Sequence, residues 1–251
     1  MLAKEGYVGI KRVYEREYGG FLKQFSKGNN RPEPGYLVDE IHKQLGKKWQ
    51  LEGVVLKPYA SMAGTHATVD CIRALQAENP ELFTKDNLNK VSKIIIRLEP
   101  PMFDHGGWQA ERPLTATGAQ MSNMFVCATQ LVENAVMAAQ FGPSGLESDS
   151  RWDLVSKTKC ECIKEYSDGA TEVEIAFEDG KSVKKYTTSQ RGVDPPLTND
   201  EIREKFRMLA GAVIEPERSE KIESLVLDID SIEDISGLVE LLTAPTRNPL
   251  A

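Results

Sequence analysis

TEVEIAFEDGKSVKKYTT, residues 171–188, reads as two strands joined through Asp179-Gly180, a dipeptide that reverses the chain in a tight hairpin turn. Working upstream, KTKCECIKEY (157–166) reads as another strand, and so does VSKIIIRLE (91–99). In the latter Ile94, Ile96 and Leu98 share one face, while Lys93, Ile95 and Arg97 take the other, which is the period-2 alternation of a pleated strand. WQLEGVVLK (49–57) is expected to be a further strand. Helical patterns alternate with these strands and follow them. THATVDCIRALQAEN (65–79) carries Val69, Ile72 and Leu75 on one face, with Thr65 placed as its N-cap. TGAQMSNMFVCATQLVENAVMAAQF (117–141) is apolar almost all round, as a helix buried on most sides would be. SRWDLVSK (150–157) is a short helix. In the tail, Thr198 with Glu201 three residues on forms a capping box ahead of Ile202, Phe206 and Leu209, and two more helical stretches follow. The expected fold class is α+β.

The beginning of the chain reads as helix. In GYVGIKRVYEREYGGFLKQF (6–25), Tyr7, Ile10, Val13, Tyr14 and Tyr18 fall at helical spacing, and Gly19-Gly20 interrupt the pattern. KGNNRPEPG (27–35) reads as a loop, YLVDEIHKQLG (36–46) as a short helix stopped by Gly46, and PPMFDHGGWQAERPL (100–114) as a long irregular loop.

The 251 residues, 40% of them apolar, suffice for one large or two modest domains. A net charge of −7 argues against a general nucleic-acid binder. The apolar runs are too short to span a bilayer, and the first residues lack the apolar core of a signal peptide. Cys71, Cys127, Cys160 and Cys162 make no disulfide framework, and Cys160-Glu161-Cys162 without a second Cys/His pair is a poor zinc site. The expectation is a protein of a reducing compartment, in the cytoplasm or, alternatively, the mitochondrion, with no metal, no membrane and no nucleic-acid partner.

Two segments concentrate polar groups. KPYASMAGTH (57–66) brackets small residues between a lysine and one of the three histidines. Lys57 precedes Pro58 at the end of an extended segment, and His66 falls in the first turn of a helix, where the dipole disfavours imidazolium. Ala60, Ser61, Ala63 and Gly64 would let backbone N–H groups face an anion. The plainer reading is a solvated lysine and a satisfied histidine on a tight turn. DHGGWQAERPL (104–114) adds His105 and Arg112. Arg112 either grips a ligand carboxylate in bidentate fashion or pairs with an acidic side chain of the protein.

LAKEGYVGIKRVYEREYGGFLKQFSKG, LKPYASMAGTHATVD, DHGGWQAERPLTATGAQMS and PLTNDEIREKFRMLAG together resemble the MmgE/PrpD family. That family includes 2-methylcitrate dehydratase, cis-aconitate decarboxylase and an iminodisuccinate epimerase, and the tail is most similar to the fungal cis-aconitate decarboxylase branch. The resemblance implies that the chain corresponds to the second half of a longer enzyme. Residues 1–26 would end an N-terminal helical domain, 27–195 would form an inserted α+β lid, and 196–251 would return as a helical tail to an all-α domain otherwise missing here. It also implies a cofactor-independent lyase acting on a small di- or tricarboxylate, by decarboxylation of cis-aconitate or dehydration of the 2-methylcitrate type. Lys57 and His66 would be catalytic, with Tyr59, His105 and Arg112 binding substrate. The partner would be a second copy, or a chain carrying the N-terminal helical half. The competing reading is a non-catalytic, truncated paralogue that serves as an interaction or oligomerisation module.

Overall fold

The computed structural model describes residues 2–28, 32 and 35–248. The expected loop at 27–35 lies partly outside them. The chain divides into two compact units, Met1–Val54 and Val55–Ala251. The first holds α1 (Phe21–Ser26), α2 (Val38–His42) and a 3₁₀ turn at Gln50–Gly53. The second runs α3 (His66–Glu78), α4 (Lys85–Leu88), β1 (Val91–Leu98), α5 (Pro100–Gly106), α6 (Ala116–Met121) and α7 (Asn123–Glu133). It continues with α8 (Pro143–Leu146), α9 (Asp149–Ser156), β2 (Thr158–Cys162), β3 (Thr171–Phe177) and β4 (Ser182–Thr187), then α10 (Asn199–Gly211), α11 (Pro216–Leu227) and α12 (Ser236–Thr243).

The fold is α+β, built on a four-stranded mixed sheet in the order β2-β1-β3-β4. β1 runs parallel to β2 and antiparallel to β3, and β3 pairs antiparallel with β4 through the turn at Asp179-Gly180. Gly180 has φ +83°, the left-handed conformation that such a turn requires and that glycine adopts without steric penalty. One face of the sheet is apolar: Ile94, Ile96, Leu98, Val173 and Ile175 are fully buried. α3 lies on β3 and β4 and presents Val69, Ile72 and Leu75, each at most 1% exposed. Each such side chain contributes about 1.5–3 kcal/mol through burial. The opposite face is polar. Arg97 reaches Glu172 at 2.5 Å, Glu174 at 2.9 Å and Glu161 at 3.5 Å, so three strands are tied by one guanidinium.

Several expectations need correction. Residues 7–18 are irregular backbone and turns rather than helix. Gly6, Arg12 and Gly19 have positive φ, which ends any right-handed helical run, and Tyr7, Ile10 and Tyr18 are exposed, so no burial favours a helix there. WQLEGVVLK is not a strand. Its first half is the 3₁₀ turn, and residues 55–57 have no ladder partner among the described residues, without which an extended segment is not a sheet strand. The loop at 100–114 begins as α5, with Pro100 at the first helical position, where a missing N–H is harmless. The apolar stretch 117–141 is not one helix. It breaks at Ser122, whose extended backbone (φ −86°, ψ 119°) closes α6, while its hydroxyl accepts the Phe125 N–H and starts α7. α7 is buried along Asn123–Leu131, as its composition suggested.

Candidate functional site

The break at Ser122 positions the turn KPYASMAGTH. Gln120, on α6, accepts the Met62 N–H on its carbonyl at 2.9 Å and donates its side-chain amide to the Ala60 carbonyl at 2.8 Å. Ala60 N–H donates to Val136 O, Thr65 N–H to Met62 O and His66 N–H to Ala63 O. These four amides are engaged within the protein; of the residues expected to offer an N–H to an anion, Ala60 is thereby committed. The turn's small residues serve close packing. A Cβ on Gly64 would stand 2.2 Å from Met102 Sδ of α5.

Lys57 and His66 do come together, on the carbonyl of Ser61. Lys57 Nζ donates to that oxygen at 3.3 Å, and His66 Nε2 stands 3.3 Å from it. A carbonyl only accepts, so Nε2 carries the proton and Nδ1 is the bare nitrogen. His66 is 1% exposed. Burial, with the Lys57 ammonium acting in the same direction, brings its pKa down to about 4, so the ring is neutral near neutral pH. Thr65 sits at the N-cap position of α3, but its hydroxyl donates to Met62 O and bonds Ser61 Oγ instead of capping.

Tyr59 stands edge-on to His66, the ring centres 5.2 Å apart. It is buried, and its hydroxyl donates to Asp70 Oδ1 at 2.5 Å. Burial and that carboxylate push the phenol well above its ordinary range. Asp70 Oδ2 accepts the Arg191 N–H at 2.8 Å, and the Arg191 guanidinium reaches Glu201 of α10 at 2.6 Å. Arg191, then the Thr198 N–H, hold Glu201 down at about 2. One turn further along α10, Lys205 donates to the carbonyl of Lys57. Pro58, Tyr59, Arg73, Arg191 and Lys205 are among the residues lining a cleft of about 410 Å³.

Asp70, Arg191 and Lys205 were not read from the sequence as members of the site. Asp70 lies four residues after His66, on the same helix face, a signal that was present. Nothing local marked Arg191 or Lys205.

His105 and Arg112 are committed elsewhere. His105 lies in the last turn of α5 and donates from Nδ1 to Pro101 O at 2.8 Å. Arg112 is held by Glu147 Oε2 at 2.5 Å, Asp149 Oδ1 at 2.7 Å and Glu147 O at 2.9 Å, the acidic pairing left open by the sequence. Among the described residues no cluster of three or more His, Cys, Asp or Glu is arranged to hold a metal ion, and no helix is long and apolar enough to cross a membrane.

Residues 59–231 match the MmgE/PrpD C-terminal domain. The chain belongs to the MmgE/PrpD family. It is 41% identical to the cis-aconitate decarboxylase-like protein oryM of Aspergillus oryzae over 97% of this chain and 51% of that protein. It is 39% identical to a cis-aconitate decarboxylase of Aspergillus terreus over 100% of this chain and 52% of the other. The human cis-aconitate decarboxylase is 21% identical over 100% of this chain and 51% of its own length. This MmgE/PrpD chain thus spans about half the length of the curated relatives it matches. The match takes in the Tyr59–His66 part of the turn, both helices of the α6–α7 break and α10.

Proposed function

We propose that this protein is a cofactor-independent lyase of a small di- or tricarboxylate, with decarboxylation of cis-aconitate the leading activity and dehydration of a 2-methylcitrate-type acid the alternative. The observation that carries this reading is the convergence of Lys57 and His66 on one carbonyl, with no carboxylate of the described residues in ion-pair contact with the Lys57 ammonium. The names of the fungal relatives support the choice of substrate. An ammonium tethered only to a neutral carbonyl is available to a substrate carboxylate and is already oriented for it.

In decarboxylation the C–C bond to one carboxylate breaks and CO₂ departs. The electron pair stays on carbon, spreads into the adjacent unsaturated acid, and is quenched by a proton delivered to carbon. Lys57 stabilises the carboxylate into which that charge spreads. His66, neutral and held from inside the turn, keeps the Ser61 carbonyl and hence Lys57 in place. The approach of substrate carboxylates favours its protonated form, which gives it a second role in proton exchange. Tyr59 contributes its ring to the cleft, its hydroxyl being held by Asp70. The protein's partner is a second copy or a chain carrying the helical half.

The test is direct. The protein, alone and mixed with the helical half of a relative, is incubated with ¹³C-labelled cis-aconitate or with 2-methylcitrate, and product is followed by NMR. Lys57→Ala is expected to cut turnover by orders of magnitude. Turnover that survives Lys57→Ala overturns the assignment. Absence of turnover and of tricarboxylate binding in every mixture favours the second reading, a non-catalytic interaction module. The observation behind that reading is the exposure of Met208, Leu209, Val226, Leu227, Val239 and Leu242 on the three tail helices.

A further inference from the structure

The tail brings a second lysine to the turn. Lys205 donates to the Lys57 carbonyl, Lys57 donates to the Ser61 carbonyl, and both acceptors are neutral. Two ammonium groups therefore bond carbonyls of the same turn, with no carboxylate of the described residues at ion-pair distance from either. The nearest acids in sequence do not compensate them. Glu201, four residues before Lys205, is held by Arg191 and Thr198, and Glu204 is exposed and makes no ion pair with Lys205. Burial, then the repulsion of Lys57, draws Lys205 below the ordinary lysine range. Like charges are brought together at a cost that an anion bridging them would remove.

The placement is held firmly. The capping box of Thr198 and Glu201 starts α10, and the Arg191–Glu201 pair ties that first turn to the loop whose Arg191 N–H bonds Asp70. Lys205 lines one cleft with Tyr59 and with Pro58, the residue after Lys57, and with Glu201 and Glu204 of α10; its 410 Å³ suits a small organic acid.

We propose that Lys205 is a second cationic group of the carboxylate site, engaging one carboxylate of a substrate whose other carboxylate is held by Lys57. The tail helix would thereby select di- and tricarboxylates over monocarboxylates. This rests on the lyase reading of the Lys57 turn. The competing role for Lys205 is a tether alone, a donor that fixes the Lys57 backbone whatever its charge.

Charge and tether are separable. Lys205→Gln keeps an N–H donor and removes the charge, and Lys205→Arg keeps both. Propane-1,2,3-tricarboxylate, an unreactive tricarboxylate, and propionate are titrated into wild type and variants, with binding read from the NMR signals of His66 and folding checked by thermal melts. The expected result is that Lys205→Gln weakens the tricarboxylate tenfold or more and at least five times more than propionate, while Lys205→Arg retains most of the affinity. Three results overturn the proposal. One is tricarboxylate affinity within twofold of wild type in Lys205→Gln while Lys57→Ala abolishes binding, which leaves the lyase reading intact and Lys205 a tether. Another is equal weakening of both ligands in Lys205→Gln, which marks a structural effect. The last is no tricarboxylate binding by wild type, which removes the lyase reading as well.

Discussion

Lys57 and His66 share one acceptor: the Ser61 carbonyl oxygen stands 3.3 Å from Nζ of the first and 3.3 Å from Nε2 of the second. The two groups are thereby coupled, since a charge on the ring would face the ammonium across a single oxygen. The fold resolves this by keeping the ring buried and neutral, and stability then depends on pH.

His66 is brought down to about 4 in the folded chain and titrates near 6.5 when unfolded, so between those values the unfolded state binds more protons. Stability from the neutral ring is complete above pH 6.5 and is lost as pH falls through 4. At pH 5 the loss is of order 2 kcal/mol relative to pH 8. Urea melts of wild type and His66→Gln at both pH values check this. The variant is expected to lose less stability on acidification, and parallel losses would refute it.

Tyr59→Phe removes the proton that Asp70 Oδ1 accepts at 2.5 Å and leaves the apolar ring in place. Stability is expected to fall by about 1–3 kcal/mol, because a half-buried carboxylate oxygen loses its donor. Affinity for a tricarboxylate is expected to change less than threefold, the hydroxyl being turned to Asp70. Denaturation and titration on the same sample separate the two effects.

Gly192 has φ +93°, and a Cβ there would stand 2.4 Å from the Leu56 carbonyl oxygen and 3.0 Å from Pro58 Cδ. Gly192→Ala is expected to cost about 1–3 kcal/mol through backbone strain and to push back the segment leading into Lys57. Tricarboxylate affinity should fall together with the melting temperature. A change in melting temperature without a change in affinity would show that the two segments are not mechanically linked.

Arg112→Ala removes a guanidinium bound to Glu147 and Asp149 at the surface. Exposed ion pairs contribute about 0–1 kcal/mol, so stability is expected to change little, and tricarboxylate affinity to stay within threefold. A tenfold loss of affinity would mean that Arg112 leaves its acidic partners to meet the substrate, and would restore the bidentate role that its position in DHGGWQAERPL suggested.

What the sequence determined by itself was local. Alternation in VSKIIIRLE marked β1 and its buried face, Asp179-Gly180 marked the β3–β4 hairpin, Val69, Ile72 and Leu75 marked the inner face of α3, and Thr198 with Glu201 marked the start of α10. Each of these signals is written within a few residues and survives into the fold because packing agrees with it. The tertiary structure decided the rest. A strand needs a neighbour, so WQLEGVVLK, with none among the described residues, is a turn and an extended lead-in. Residues 7–18 have helical spacing but bury no face, and propensity alone does not hold a helix. Ser122 breaks an apolar run because its hydroxyl caps α7, and the break carries Gln120 to the turn at Ala60 and Met62. Lys205 meets the Lys57 carbonyl across 148 residues of chain, a contact that no window of sequence contains, because it exists only where α10 packs beside the turn.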